Sequence, residues 1–151
     1  MNATREIPAD HSIAICNKLL RGELAAVETY GQAIMKYDTL PESDELRRIR
    51  MEHSNSAKLL AANVRALGGY PTPDSGAWGL FVSAVQGAAN LLGEESALES
   101  LKQGEEIGRK DYEEALQDER VVEDFRVLIR TELLPPVMNH IAVLQSREQA
   151  A

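Results

Sequence analysis

The chain has 151 residues, enough for a single domain that buries about two-thirds of the surface its unfolded form exposes, so folding needs neither a disulfide nor a metal staple. Its 44% hydrophobic content includes only 5% aromatic residues, and its many Leu, Ala, Glu and Arg residues favour helices over strands. A net charge of −8 argues against a nucleic-acid partner, because phosphate binding needs a basic face, and the lone Cys16 excludes intrachain disulfides and thiolate metal clusters.

The acidity is uneven. Residues 1–91 carry 9 basic and 10 acidic groups, whereas residues 92–151 carry 7 and 14, so the excess belongs to the C-terminal half, as a solvated helix face or as an attractor of cations. No signal peptide is evident. The longest weakly polar run, GLFVSAVQGAANLLG, contains Gln86 and Asn90 and falls short of the ~20 apolar residues of a membrane span, so a soluble cytoplasmic protein without a membrane partner is expected.

In the first periodic segment Ile13, Cys16, Leu20, Glu23, Val27, Tyr30, Ile34 and Tyr37 recur at steps of three and four. That spacing predicts one helix face from about Asp10 to Asp38, with His11 at its exposed start. Thr39 and Glu42 resemble a capping box around Pro41, so a second helix is expected to begin near residue 40. Its stripe is Leu46, Ile49, His53, Ala57, Leu60, Val64 and Leu67, and Gly68-Gly69 with the turn YPTPDSG stops it. The segment of about 70–93 reads as a crossover, with a short apolar helix over Ala77–Leu92. Trp78, Leu80, Phe81, Val82, Val85, Leu91 and Leu92 there offer more apolar surface than one bundle hides, so a homodimer is expected through it.

A third helix starts near Gly93 or Glu94 with Leu98, Leu101, Glu105, Gly108, Tyr112 and Ala115 on one stripe. The fourth runs from about Val122 to Gln145 and presents Phe125, Ile129, Leu133, Val137, His140 and Leu144. Pro135-Pro136 in its middle either breaks or kinks it. Two long helices, a long crossover and two more long helices describe an all-α four-helix bundle with one crossover, a single domain over 1–151.

The two halves echo each other. GELAAVETY at 22–30 and GEEIGRKDY at 104–112 each place a Tyr seven residues after a Glu, two helical turns along the same face. Each of the four stripes then has one ligand-type residue: Glu23, His53, Glu105 and His140. Two carboxylates inside a bundle need a compensating cation or donor. Two Glu and two His are the ligand types of an iron, manganese or zinc centre, which Tyr30 and Tyr112 could support by hydrogen bonds; a metal-free polar network is the alternative. Antiparallel pairing about turns near residues 38 and 121 sets Glu23 opposite His53, and Glu105 opposite Val137 with His140 one turn away. Glu52, on the flank of its helix, could swing in as a substitute ligand.

These features resemble the ferritin-like superfamily, which includes ferritin, bacterioferritin and rubrerythrin. MEHSNSAKLL is similar to the EHAxxL pattern of that superfamily's second helix, and the Glu and Tyr spacing matches as well. VRALGGYP, the GEE followed by DYEEAL, and the NH near the C-terminus more closely resemble an uncharacterised bacterial ferritin-like family, domain of unknown function 2383, over about residues 12–146. The resemblance implies a ferritin-like bundle in which the first and third helices each supply a Glu and the second and fourth each supply a Glu-x-x-His pair; it implies no activity.

The chain departs from that pattern at two positions. Arg50 stands three residues before His53 and Val137 three before His140, so both bridging carboxylates are missing and a full di-iron site is not expected. The expectation is a degenerate site, either metal-free or holding at most one ion, with a metal-binding oxidase or iron-handling protein as the alternative. Arg50 is expected to occupy part of the vacated site and pair with Glu23, Glu105 or both.

Overall fold

The computed structural model describes residues 3–36, 43–76 and 94–150. Three uninterrupted helices, α1 (Ala3–Lys36), α2 (Ser43–Ala66) and α3 (Glu94–Gln117), precede a fourth rod built of α4 (Glu123–Leu128), a π-helical turn over Ile129–Leu133 and α5 (Leu134–Ala150). The rods pack as an all-α bundle in which α1 runs against α2, and α3 against the fourth rod. The crossover helix and dimer surface expected over 77–92, the capping residues Thr39 and Glu42, and Tyr37 lie outside the described residues.

The apolar stripes become two core clusters. One joins Cys16, Leu20, Leu60, Val64, Tyr112, Phe125, Ile129 and Leu133, and the other joins Tyr30, Leu46, Ile49, Leu98, Leu101 and Leu144. Glu23, His53, Glu105 and His140 are buried as well, yet belong to neither cluster, so they form a polar layer within the bundle. Each of the four comes from a different rod, as antiparallel stripes of matched register require.

α2 ends where its glycines demand. Gly68 has φ of +90°, its N–H donates to the Arg65 carbonyl, and the Gly69 N–H donates to the Val64 carbonyl at 2.9 Å, which is a Schellman stop. Gly69 lies so close to α1 that a Cβ there would stand 2.7 Å from Ile13 Cγ2. The Asn17 side chain then donates to the Tyr70 carbonyl and accepts from the Thr72 N–H, tying the outgoing chain to α1.

One sequence expectation needs correction here, and one alternative left open is resolved. α1 begins at Ala3, not near Asp10, so His11 lies inside the helix, part-buried, with Nε2 2.6 Å from Asp118 Oδ2 beyond the end of α3. Pro135-Pro136 does not break the fourth rod. Proline lacks an N–H and its ring crowds the carbonyl one turn back, and the rod answers by widening ahead of the pair: the Leu134 N–H donates to the Ile129 carbonyl, five residues earlier. The widening also sets register. Leu144 follows Phe125 by nineteen residues, one more than the roughly eighteen that fill five α-helical turns, and both are fully buried. The π turn absorbs the extra residue and keeps Val137, His140 and Leu144 on the inner face.

Candidate metal centre

The centre is built around His53. Its Nδ1 donates to Glu23 Oε2 at 2.6 Å and its Nε2 donates to Glu105 Oε1 at 2.5 Å, so one imidazole from α2 bridges carboxylates from α1 and α3. The tyrosines cross-pair: Tyr30 of α1 donates to Glu105 Oε1 at 2.9 Å, and Tyr112 of α3 donates to Glu23 Oε1 at 2.6 Å. The two echoing Glu and Tyr stretches are therefore reciprocal, each tyrosine serving the other helix's carboxylate. Tyr30 also stacks on His53, with ring centroids 5.4 Å apart.

His140 completes the layer from α5. Its Nδ1 lies 3.1 Å from Glu105 Oε1, and its Nε2 lies 2.8 Å from Glu52 Oε1. Glu105 thus faces His140 itself, one turn beyond the Val137 that the simple level count suggests. Glu52 swings inward from the α2 flank, and its second oxygen accepts from Arg48 Nη1 at 2.6 Å.

Electrostatics follow from this geometry. Burial works against a charged His53, but the adjacent Glu105 and Glu23 carboxylates outweigh it and raise its pKa to about 10. Burial likewise works against ionised Glu105, while His53 and His140 beside it bring its pKa down to about 2. Burial, reinforced by the neighbouring carboxylates, pushes both Tyr30 and Tyr112 well above the usual phenol range, so they remain neutral donors. Without a metal, His53 is an imidazolium held between two carboxylates.

The two glutamates are not equivalent. Both oxygens of Glu23 are engaged, one by Tyr112 and one by His53. In Glu105, Oε1 receives every contact, and the buried Oε2 has no hydrogen-bond partner. Glu105, His53 and His140 offer donor atoms that all lie within 4.8 Å of one another, and Glu23 stands outside that group, on the far nitrogen of His53.

Arg50 does not enter the centre. It is exposed, and its Nε donates to the Val27 carbonyl on α1 at 3.0 Å, beside Gly31. The expected pairing with Glu23 or Glu105 fails because Arg50 follows the fully buried Ile49 and is turned about 100° away from it around the helix. His53, not Arg50, compensates the glutamates. The arginine that bears on the centre is Arg48, through Glu52; in the sequence it reads only as part of a basic run, although its spacing of four from Glu52 marks the pair.

Comparison with known protein families, curated proteins and solved structures gave no significant match for this chain.

Proposed function

We propose that this ferritin-like bundle binds one divalent transition-metal ion through Glu105, His53 Nε2 and His140 Nδ1. The observation that carries this reading is the buried, unpartnered Glu105 Oε2 beside two imidazoles whose opposite nitrogens each face another carboxylate. Glu23 on His53 and Glu52 on His140 have the relation to these rings that carboxylates commonly have to metal-bound histidines, fixing ring orientation and tautomer. Two imidazoles and one carboxylate suit iron(II), manganese(II) or zinc(II).

Bonds of about 2.0 to 2.2 Å from such an ion require donors about 2.8 to 3.6 Å apart, octahedral at the short end and tetrahedral at the long, so His53 Nε2 and Glu105 Oε1 must separate from hydrogen-bonding distance as the shared proton leaves. When bound, the ion would supply a Lewis acid with coordination positions left for water or a small ligand. The chain's own contribution is to hold the three donors on three rigid rods, keep Tyr30 and Tyr112 as neutral donors to the carboxylates, and shield the layer between two apolar clusters.

The competing reading is a metal-free structural bundle, and one observation favours it: protonated His53 already neutralises one of the two buried carboxylates it bridges. Elemental analysis of protein purified without added metal, followed by anaerobic titration with iron(II), manganese(II) and zinc(II), separates the two. One ion per chain, lost in His140→Ala, supports the metal centre. No ion at any concentration that leaves the fold intact, in parent and variant alike, supports the structural bundle.

A further inference from the structure

Among the described residues that make up the centre, one alone has a substantially exposed side chain. The side chains of Glu23, His53, Glu105 and His140 are between 1% and 6% exposed, whereas that of Glu52 is 31% exposed. Glu52 is held at both ends, by His140 Nε2 at 2.8 Å on Oε1 and by Arg48 Nη1 at 2.6 Å on Oε2. Arg48 pairs as well with Glu45, which lies seven residues before Glu52 on the same face of α2. Glu45, Arg48, Glu52 and His140 therefore form a continuous file from the surface of α2 to Glu105.

A hydrated divalent cation reaches a buried centre only by exchanging water for protein oxygens, since stripping it bare in an apolar passage carries a large desolvation penalty. A half-exposed carboxylate that already touches a ligand offers that first exchange. An arginine clamped on its outer oxygen opposes it, by occupying the oxygen and by repelling the cation.

We propose that Glu52 is the port through which a divalent cation reaches the centre and that Arg48 is the latch on that port. The proposal rests on the metal-binding reading above. The arriving cation displaces the Arg48 guanidinium from Glu52 Oε2, passes to Glu105 as the His140 ring swings aside, and is then closed on by His140 Nδ1 as Nε2 returns to Glu52. The competing route is a cavity of about 50 Å³ between α1 and α3, which reaches Glu23 and Glu105 past Ala26, Leu101 and Gly108. Its largely apolar walls suit a small neutral molecule better than a hydrated cation. A Cβ on Gly108 meets no atom within 4 Å, so a side chain there enters open space, and Gly108→Val narrows that cavity.

The test uses the full chain stripped with chelator, cobalt(II) as a visible-absorbing probe, stopped-flow mixing for the uptake rate and equilibrium titration for affinity. Arg48→Gln should speed uptake about tenfold and Glu52→Gln should slow it about tenfold, the range over which local charge alters association rates. Gly108→Val should leave the rate unchanged. In Arg48→Gln, release should quicken in step, leaving equilibrium affinity nearly constant, which a merely structural role for Arg48 would not produce. Parental rates in both Arg48→Gln and Glu52→Gln overturn the port, and a slow Gly108→Val in that case moves the route to the α1 and α3 cavity. Failure of the parent protein to bind cobalt(II) at equilibrium removes the metal-binding reading and the port together, whereas binding with unaltered rates removes the port alone. Should Glu52→Gln fail to fold, Arg48→Gln decides by itself, because Arg48 is exposed.

Discussion

Replacing His53 by Gln in the metal-free protein removes the cation that holds Glu23 and Glu105 together. Both carboxylates are then buried with at most one neutral amide between them, and breaking a buried ion pair from one side costs about 3 to 5 kcal/mol. For a chain of this size each kcal/mol moves the melting midpoint by about 2 to 4 °C, so the midpoint should fall by about 6 to 20 °C. The pH dependence is more specific. The His53 pKa is raised from 6.5 to about 10 in the folded state, so its stabilisation is complete below pH 6.5 and is lost as pH rises through 10. Glu105 is lowered from 4.5 to about 2, so its part of the same interaction is complete above pH 4.5 and is lost as pH falls through 2. The two shifts describe one ion pair and are not added. Urea denaturation in chelator should give a parental stability plateau between these limits and a decline from pH 7 to pH 10, with the decline flattened in His53→Gln. Parallel losses in parent and variant across that range would refute the imidazolium bridge.

Four further variants have outcomes set by particular residues. Glu105→Gln should abolish stoichiometric metal binding, whereas Glu23→Gln, which leaves an amide oxygen to accept from His53 Nδ1, should weaken affinity by about 10- to 100-fold, as calorimetric titration would show. Arg50→Ala should cost less than about 1 kcal/mol in chemical denaturation, because its guanidinium is solvent-exposed and bonds the Val27 carbonyl, not a buried carboxylate. Gly68→Ala should cost about 1 to 2 kcal/mol by the same measurement, since φ of +90° strains any residue with a Cβ.

The four rods were readable because steps of three and four apolar residues leave little choice at 3.6 residues per turn: Leu46, Ile49, Leu60 and Val64 on α2 are all buried as that count requires. The same periodicity put Glu23, His53, Glu105 and His140 on the buried faces of four different helices. What it could not show was which partner each side chain takes. Its place in the Glu-x-x-His pattern predicts Arg50 inside, but one residue's rotation past Ile49 carries it out to the Val27 carbonyl. Glu52, two residues or about 200° further around α2, lies on the opposite flank, and that rotation brings it to His140 on the fourth rod. The register of His140 depends on the π turn. Pro135-Pro136 announces a disturbance there, while the widening itself answers to how Phe125, Ile129 and Leu144 pack across the bundle, which a linear pattern does not contain.

The most direct measurement is anomalous scattering from a crystal of the protein grown with manganese(II) or zinc(II). A single peak should lie within bonding distance of Glu105, His53 Nε2 and His140 Nδ1, with Glu23 on His53 Nδ1 and Glu52 on His140 Nε2. A bundle with no peak there, in which His53 still bridges Glu23 and Glu105 as it does without metal, would contradict the metal centre.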